Sequence, residues 1–187
     1  MDIFKKCEQV AHIEAVNARG VYPYFNPLET GQDTEVIING RKTLMIGSNN
    51  YLGLTSHPEV IQAGIDAIKK YGSGCSGSRF LNGTLDIHVA LEKELSDFLH
   101  REASLTFSTG FQSNLGIISA LAGRNDVIVG DKENHASIYD ACRLSYAKLL
   151  RYEHNDMDDL EKILKSIGPE KGILIVTDGV FSMTGDI

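Results

Sequence analysis

From residue 57 onward, apolar positions fall into alternating stretches of helical and strand-like spacing. Val60, Ile61, Ile65 and Ile68 share one side of a helix expected over Pro58–Tyr71, which ends on Lys69 and Lys70. Val89, Leu91, Leu95 and Phe98 mark a second helix over Asp86–Leu99. Short strands are then expected at 103–107, 126–129, 149–152 and 172–177, separated by helices at 110–121, 136–147 and 157–167. Strands joined by helices of this length predict βαβ units and a mainly parallel sheet, so the chain reads as an α/β protein.

The first part of the chain follows a different pattern. Residues 2–18 read as helical, and the stretch from Gly20 to Pro27 then breaks the helix with two prolines and three aromatics. Apolar runs at 35–38 and 42–46 flank Asn39-Gly40, a hairpin signal because both turn positions require positive φ. Two domains are expected: residues 1–55 as an N-terminal helix, arm and hairpin, and residues 56–187 as the first part of a larger domain. The apolar run at 173–177 reads as a buried strand, and the chain ends soon after it at Gly185-Asp186-Ile187, which predicts a truncated domain.

Composition narrows the classes. Apolar residues at 42% and charged residues at 23% fit a soluble globular protein. A net charge of −7 fits a solvated acidic surface and argues against nucleic-acid binding. Cys7, Cys75 and Cys142 are an odd, widely spaced set with no CxxC pair, which predicts no disulfide framework, no zinc site and a cytoplasmic location. The polar N-terminal segment lacks an apolar signal region, and no apolar run approaches the roughly 20 residues of a membrane span.

Three segments lie where a parallel sheet places its ligands, beyond the carboxyl ends of strands. In the first, Phe107-Ser108-Thr109-Gly110-Phe111, a helix opens directly after a strand, and its free amides form a natural phosphate seat. Ser108 or Thr109 equally suits a plain helix cap. The second, Gly130 to Ser137, carries His135 at a helix start. That imidazole fits a surface or core histidine, and it also fits a flat group stacked on a planar cofactor. The third, Thr177 to Asp186, has the composition of a ligand loop or of an ordinary turn. Gly72-Ser73-Gly74-Cys75-Ser76-Gly77 matches GxGxxG, but it follows a helix and runs into a loop, so it does not predict dinucleotide binding. No His/Cys/Asp set has metal-ligand spacing, and no GxSxG elbow is present.

In order and spacing, these segments resemble the α-oxoamine synthase family of fold-type-I pyridoxal-phosphate enzymes, whose fold is that of aspartate aminotransferase. The resemblance rests on Asn49-Asn50-Tyr51-Leu52-Gly53-Leu54, Gly72 through Thr84, His88 with Leu91-Glu92, and Ser108-Thr109-Gly110-Phe111. Asn134 through Asp140 and Gly179 through Asp186 complete it. Gly77 through Thr84 and the arm at 22–27 resemble the branch that joins L-serine to a long-chain acyl-CoA, releasing CoA and carbon dioxide. Sister enzymes make 8-amino-7-oxononanoate, 2-amino-3-oxobutyrate or 5-aminolevulinate, and they stay open as alternatives. So does a non-catalytic α/β module that binds some other anion.

The resemblance implies pyridoxal 5'-phosphate (PLP) as cofactor, an electron sink that stabilises the carbanion formed from the amino acid. It implies that Thr109, Gly110 and Phe111 hold the phosphate. His135 stacks on the ring and orients the substrate carboxylate, and Ser182 hydrogen-bonds around the ring. Asn49, Ser78 and Arg79 face the substrate. Asp178 stands where many family members have glutamate, which keeps the charge and shortens the reach. The Schiff-base lysine, the aspartate on the pyridine nitrogen and a histidine beside it are expected beyond Ile187, so an isolated chain of these residues is expected to be inactive. Family members are homodimers with the site at the subunit interface.

Overall fold

The computed structural model describes residues 2–8 and 10–187, without the side chain of Ala11. The chain forms two compact units, Met1–Gly83 and Thr84–Ile187. The expected break lay at residues 55 and 56. By its contacts the helix Pro58–Tyr71 and the glycine-rich loop after it belong to the first unit.

In the first unit the helix expected over 2–18 is a 3-10 turn at Ile3–Glu8 followed by α1, Ala11–Ala18; Gln9 lies outside the described residues. The hairpin is as expected. Strands β1, Glu35–Ile38, and β2, Arg41–Leu44, pair antiparallel with Ile38 opposite Arg41. Asn39 and Gly40 carry φ of 50° and 69° between them, the left-handed pair that a two-residue turn of this kind needs. Helix α2, Pro58–Tyr71, starts where the His57 ring accepts the Glu59 N–H, with proline in its first turn, and ends at Gly72 with φ 82°. Its apolar stripe has no buried residue, and Val60, Ile61, Ile65 and Ile68 all stay exposed.

The second unit holds helices α3, Asp86–Leu99; α4, Gly110–Leu121; α5, Ala136–Ser145; and α6, Met157–Lys165. Its sheet has three parallel strands, β3, Val127–Asp131; β4, Lys148–Tyr152; and β5, Ile173–Val176, in the order β4-β3-β5. Val127 is the register point, facing Lys148 on one side and Ile173 on the other. Every residue of the central strand β3 is buried, as expected of a parallel strand covered on both faces. Side chains alternate along it. Ile128 joins Ile118, Ile138 and Cys142 in one apolar cluster under α4 and α5, while Val127 and Val129 join Tyr152, Leu160 and Ile163 under α6. On β5, Leu174 and Val176 pack against the first cluster, and Ile173 and Ile175 remain exposed on the other face.

One expected strand does not form. Among the described residues, 103–107 pair with no other strand. Instead the segment docks on α3, where the Glu92 carboxylate accepts from both the Thr106 N–H and its hydroxyl. Its apolar residues have strand propensity, but propensity without a ladder partner makes no strand. Phe107 then lies against α4 at Gly116, where an added Cβ would sit 2.7 Å from the ring. No described helix is long and apolar enough to cross a membrane.

Candidate functional site

The loops after β3, β4 and β5 leave the same edge of the sheet, and the N-termini of α4 and α5 open beside one another there. Helix α4 is capped by Thr109, whose Oγ1 accepts the Gln112 N–H at 3.1 Å. The first backbone bond of the helix runs from the Ser113 N–H to the Thr109 carbonyl, so the amides of Gly110 and Phe111 precede it without an intrahelical acceptor. A Cβ on Gly110 would meet nothing within 4 Å.

Helix α5 is capped by His135. Its Nδ1 accepts the Ser137 N–H at 3.2 Å and lies 2.7 Å from the Ser137 hydroxyl. The Asn114 amide, one turn into α4, donates to that hydroxyl at 2.9 Å. This relay joins the two helix starts. With Nδ1 accepting the Ser137 N–H, a neutral ring carries its proton on Nε2, and the residue is exposed.

Behind the ring, the loops after β3 and β5 are stitched together. The His135 N–H donates to Asp178 Oδ2 at 2.6 Å. Asn134, buried at 6% exposure, donates from Nδ2 to the Val176 carbonyl at 2.8 Å and accepts the Asp178 N–H at 2.9 Å. Asp178 thus reaches the backbone of the histidine itself. Asn134→Ala removes both bonds and leaves a carbonyl and an amide unpaired in a half-buried place. It is expected to cost about 1–3 kcal/mol, measured by urea unfolding of the full-length protein.

A second network lies at the same edge. Asp131 is fully buried at the end of β3. Its Oδ1 accepts the Glu133 N–H at 2.8 Å and meets His154 Nδ1 at 2.9 Å, and its Oδ2 accepts the Asn155 N–H at 3.2 Å. Burial pushes this carboxyl up, and the Glu133 amide, the His154 ring and the Asn155 amide together bring it below its ordinary value. His154 is raised, chiefly by its hydrogen bond to Asp131 and further by Asp186, against a smaller opposing effect of desolvation. Burial raises the Cys142 thiol and leaves it a core residue.

The residues expected from sequence fall as follows. Thr109, Gly110, Phe111 and His135 stand at the two joined helix starts. Ser182 is exposed, directly after the buried Phe181 in the loop beyond β5. Asn49, Ser78 and Arg79 belong to the first unit. Asn49 lines an open groove there, and its Oδ1 accepts from the Tyr51 hydroxyl at 3.4 Å. The Ser78 carbonyl accepts the Leu81 and Gly83 amides in a tight loop that leaves no room for a Cβ at Gly83. Arg79 is half-buried in that loop. Sequence reading missed Asn134, Asp131 and His154 as site-building residues. The available signal was an acidic residue closing the apolar run Val127-Ile128-Val129-Gly130, a costly place for a charge without partners.

The aminotransferase class I and II family profile matches residues 41–187. This chain belongs to that family. Its fold is aminotransferase-like, fold type I, with a parallel sheet inside a mixed α/β architecture. A serine palmitoyltransferase from Sphingobacterium spiritivorum is 56% identical over 186 residues, covering 98% of this chain and 47% of the relative. The solved Sphingomonas wittichii serine palmitoyltransferase superposes at a TM-score of 0.94 and 46% identity, over 100% of this chain and 48% of that one. A serine palmitoyltransferase from S. paucimobilis, solved with a bound PLP–myriocin aldimine, gives a TM-score of 0.94 at 41% identity with the same coverage. An 8-amino-7-oxononanoate synthase from Geobacter sulfurreducens is also similar, at 44% identity over 175 residues, 94% of this chain and 45% of the relative. The chain thus spans about half the length of the curated relatives it matches.

Proposed function

We propose that these residues are the N-terminal part of a PLP-dependent acyltransferase. It condenses L-serine with palmitoyl-CoA to 3-ketosphinganine, CoA and carbon dioxide, the first step of sphingolipid synthesis. One observation supports the cofactor above the rest: an amide-rich helix start and a flat imidazole sit side by side, joined through Asn114 and Ser137. The relatives named serine palmitoyltransferase support the choice of substrates.

The residues present fit the cofactor. The Gly110 and Phe111 amides, which have no intrahelical acceptor, suit a phosphate, which would accept from them and gain from the α4 dipole. The Thr109 oxygen is used in capping, but its hydroxyl proton is available to a phosphate oxygen. His135 offers its face to the pyridine ring and its Nε2–H to the amino-acid carboxylate. Ser182 hydrogen-bonds at the ring edge, while Asn49, Ser78 and Arg79 serve the substrate. When bound, PLP supplies the electron sink for the carbanion that attacks the thioester. The Schiff-base lysine, the pyridine-nitrogen aspartate and its neighbouring histidine belong to the part of the protein beyond Ile187, and residues 56–187 form the first part of the large domain. The complete enzyme is a cytoplasmic homodimer, and the isolated 187-residue chain turns over no substrate.

A second reading keeps fold and cofactor but takes glycine or alanine with a shorter acyl-CoA, and the similarity to 8-amino-7-oxononanoate synthase favours it. Turnover of the full-length protein separates the two. Serine with palmitoyl-CoA is expected to be the preferred pair, and preference for glycine or alanine would move the chain to the sister group. Failure to bind PLP at all would favour the anion-binding module.

A further inference from the structure

We propose that His154 is a positioning residue: through Asp131 and Asp186 its ring ties the buried end of β3 to the loop that carries Ser182, and so sets that loop against the cofactor. The inference rests on the reading that Ser182 faces PLP.

The loop closes on itself. The Phe181 N–H donates to the Asp186 carbonyl and the Gly185 N–H to the Phe181 carbonyl, both at 2.8 Å, with Gly185 at φ 78°. Val180, Met183 and Ile187 are all exposed, so the turn is not held by its own apolar packing. Two groups anchor it. The Phe181 ring is buried and stands edge-on to the His154 ring, with centroids 4.4 Å apart. The Asp186 carboxylate meets His154 Nε2 at 3.3 Å. Both anchors therefore act through one imidazole, which is itself fixed by Asp131.

Each ring nitrogen faces a carboxylate, and only an imidazolium can donate to both. When the proton leaves Nε2, its lone pair faces Asp186 and the bond is lost. Asn155 Nδ2, 3.4 Å away, is then the available donor to that nitrogen. The charged groups facing the ring are Asp131 from β3 and Asp186 from the loop. Nearby Lys132 pairs with Glu153, and Asp159 of α6 accepts the Glu153 N–H. His154 is raised above its ordinary value of 6.5, so the tether is fully present below that pH and is released as pH rises through the raised folded value.

The test uses the full-length protein and three variants, His154→Gln, Asp186→Ala and Ser182→Ala. PLP dissociation is followed by visible absorbance across neutral to alkaline pH, and amide hydrogen exchange is measured on the cofactor-free protein. Loss of the tether is expected to weaken PLP binding about tenfold, the scale of one charge-assisted hydrogen bond. Both His154→Gln and Asp186→Ala are expected to show this loss and to lack a pH step present in the parent. Exchange should accelerate in residues 181–186 and stay unchanged in β3. Asp186 is half exposed, so its variant is expected to fold even where His154→Gln does not. Parent-like affinity and pH dependence in Asp186→Ala would overturn the proposal, and so would exchange that accelerates equally in β3. If Ser182→Ala weakens binding and Asp186→Ala does not, the tether fails alone. If Ser182→Ala binds PLP as the parent does, the reading of Ser182 fails instead.

Discussion

Replacing His135 with alanine in the full-length protein is expected to lower kcat/KM for the amino-acid substrate by about 10²-fold, the scale on which lost positioning acts. The same change is expected to weaken PLP binding, visible as a shift of the absorbance titration. The relay from Asn114 through Ser137 fixes the ring through its Nδ1 and leaves Nε2 outside that relay. His135→Phe separates the two duties. It keeps a flat face, so under the proposed stacking role PLP affinity should recover, while turnover should stay low under the proposed role of Nε2–H toward the substrate carboxylate. Capping contributes only about 1 kcal/mol, so neither variant should unfold the protein. Parent-like affinity and turnover in His135→Ala would remove His135 from the site.

Asp131→Ala is expected to be the most damaging single change to stability, at about 3–5 kcal/mol in urea unfolding of the cofactor-free protein. It leaves two backbone amides and one imidazolium without their acceptor in a fully buried place. Asp131→Asn keeps an acceptor oxygen and should cost less. The deficit has a pH signature. Asp131 is lowered below 3.8, so its contribution is present above that pH and is lost as pH falls through the folded value. His154 is raised above 6.5, so its share is complete below that pH and fades as pH rises through its folded value. The gap between parent and Asp131→Ala should therefore be widest between about pH 4 and 6.5. A gap independent of pH would mean that packing, rather than the ion pair, sets the cost.

The parts of the fold legible in the sequence are those decided within a few residues. The left-handed pair Asn39-Gly40 forces the hairpin, and the 3.6-residue stripe of α2 between His57 and Gly72 is found with the expected bounds. The segment 103–107 shows the limit. Its residues prefer an extended backbone, but a strand is a relation between two segments, and here the Thr106 amide finds Glu92 in place of a neighbour strand. The amide-rich opening at Thr109–Phe111 and the cap at His135 were likewise readable as helix starts, each marked by its own capping residue, although no strand forms ahead of the first. Asp178 was visible as a residue, but its tie to the His135 backbone was not, because the two lie far apart along the chain.

By itself the sequence determined the rhythm of elements, the turn chemistry, the family pattern and the presence of polar groups at strand ends. Only the tertiary structure decided which of those groups meet. The order β4-β3-β5 brings Asp131, His154 and Asp186 from three separate connections to one edge. Local propensity is a property of neighbours in sequence, whereas a buried carboxylate is tolerable only if distant segments deliver donors to it. That delivery is set by strand order and loop path, which no local spacing encodes.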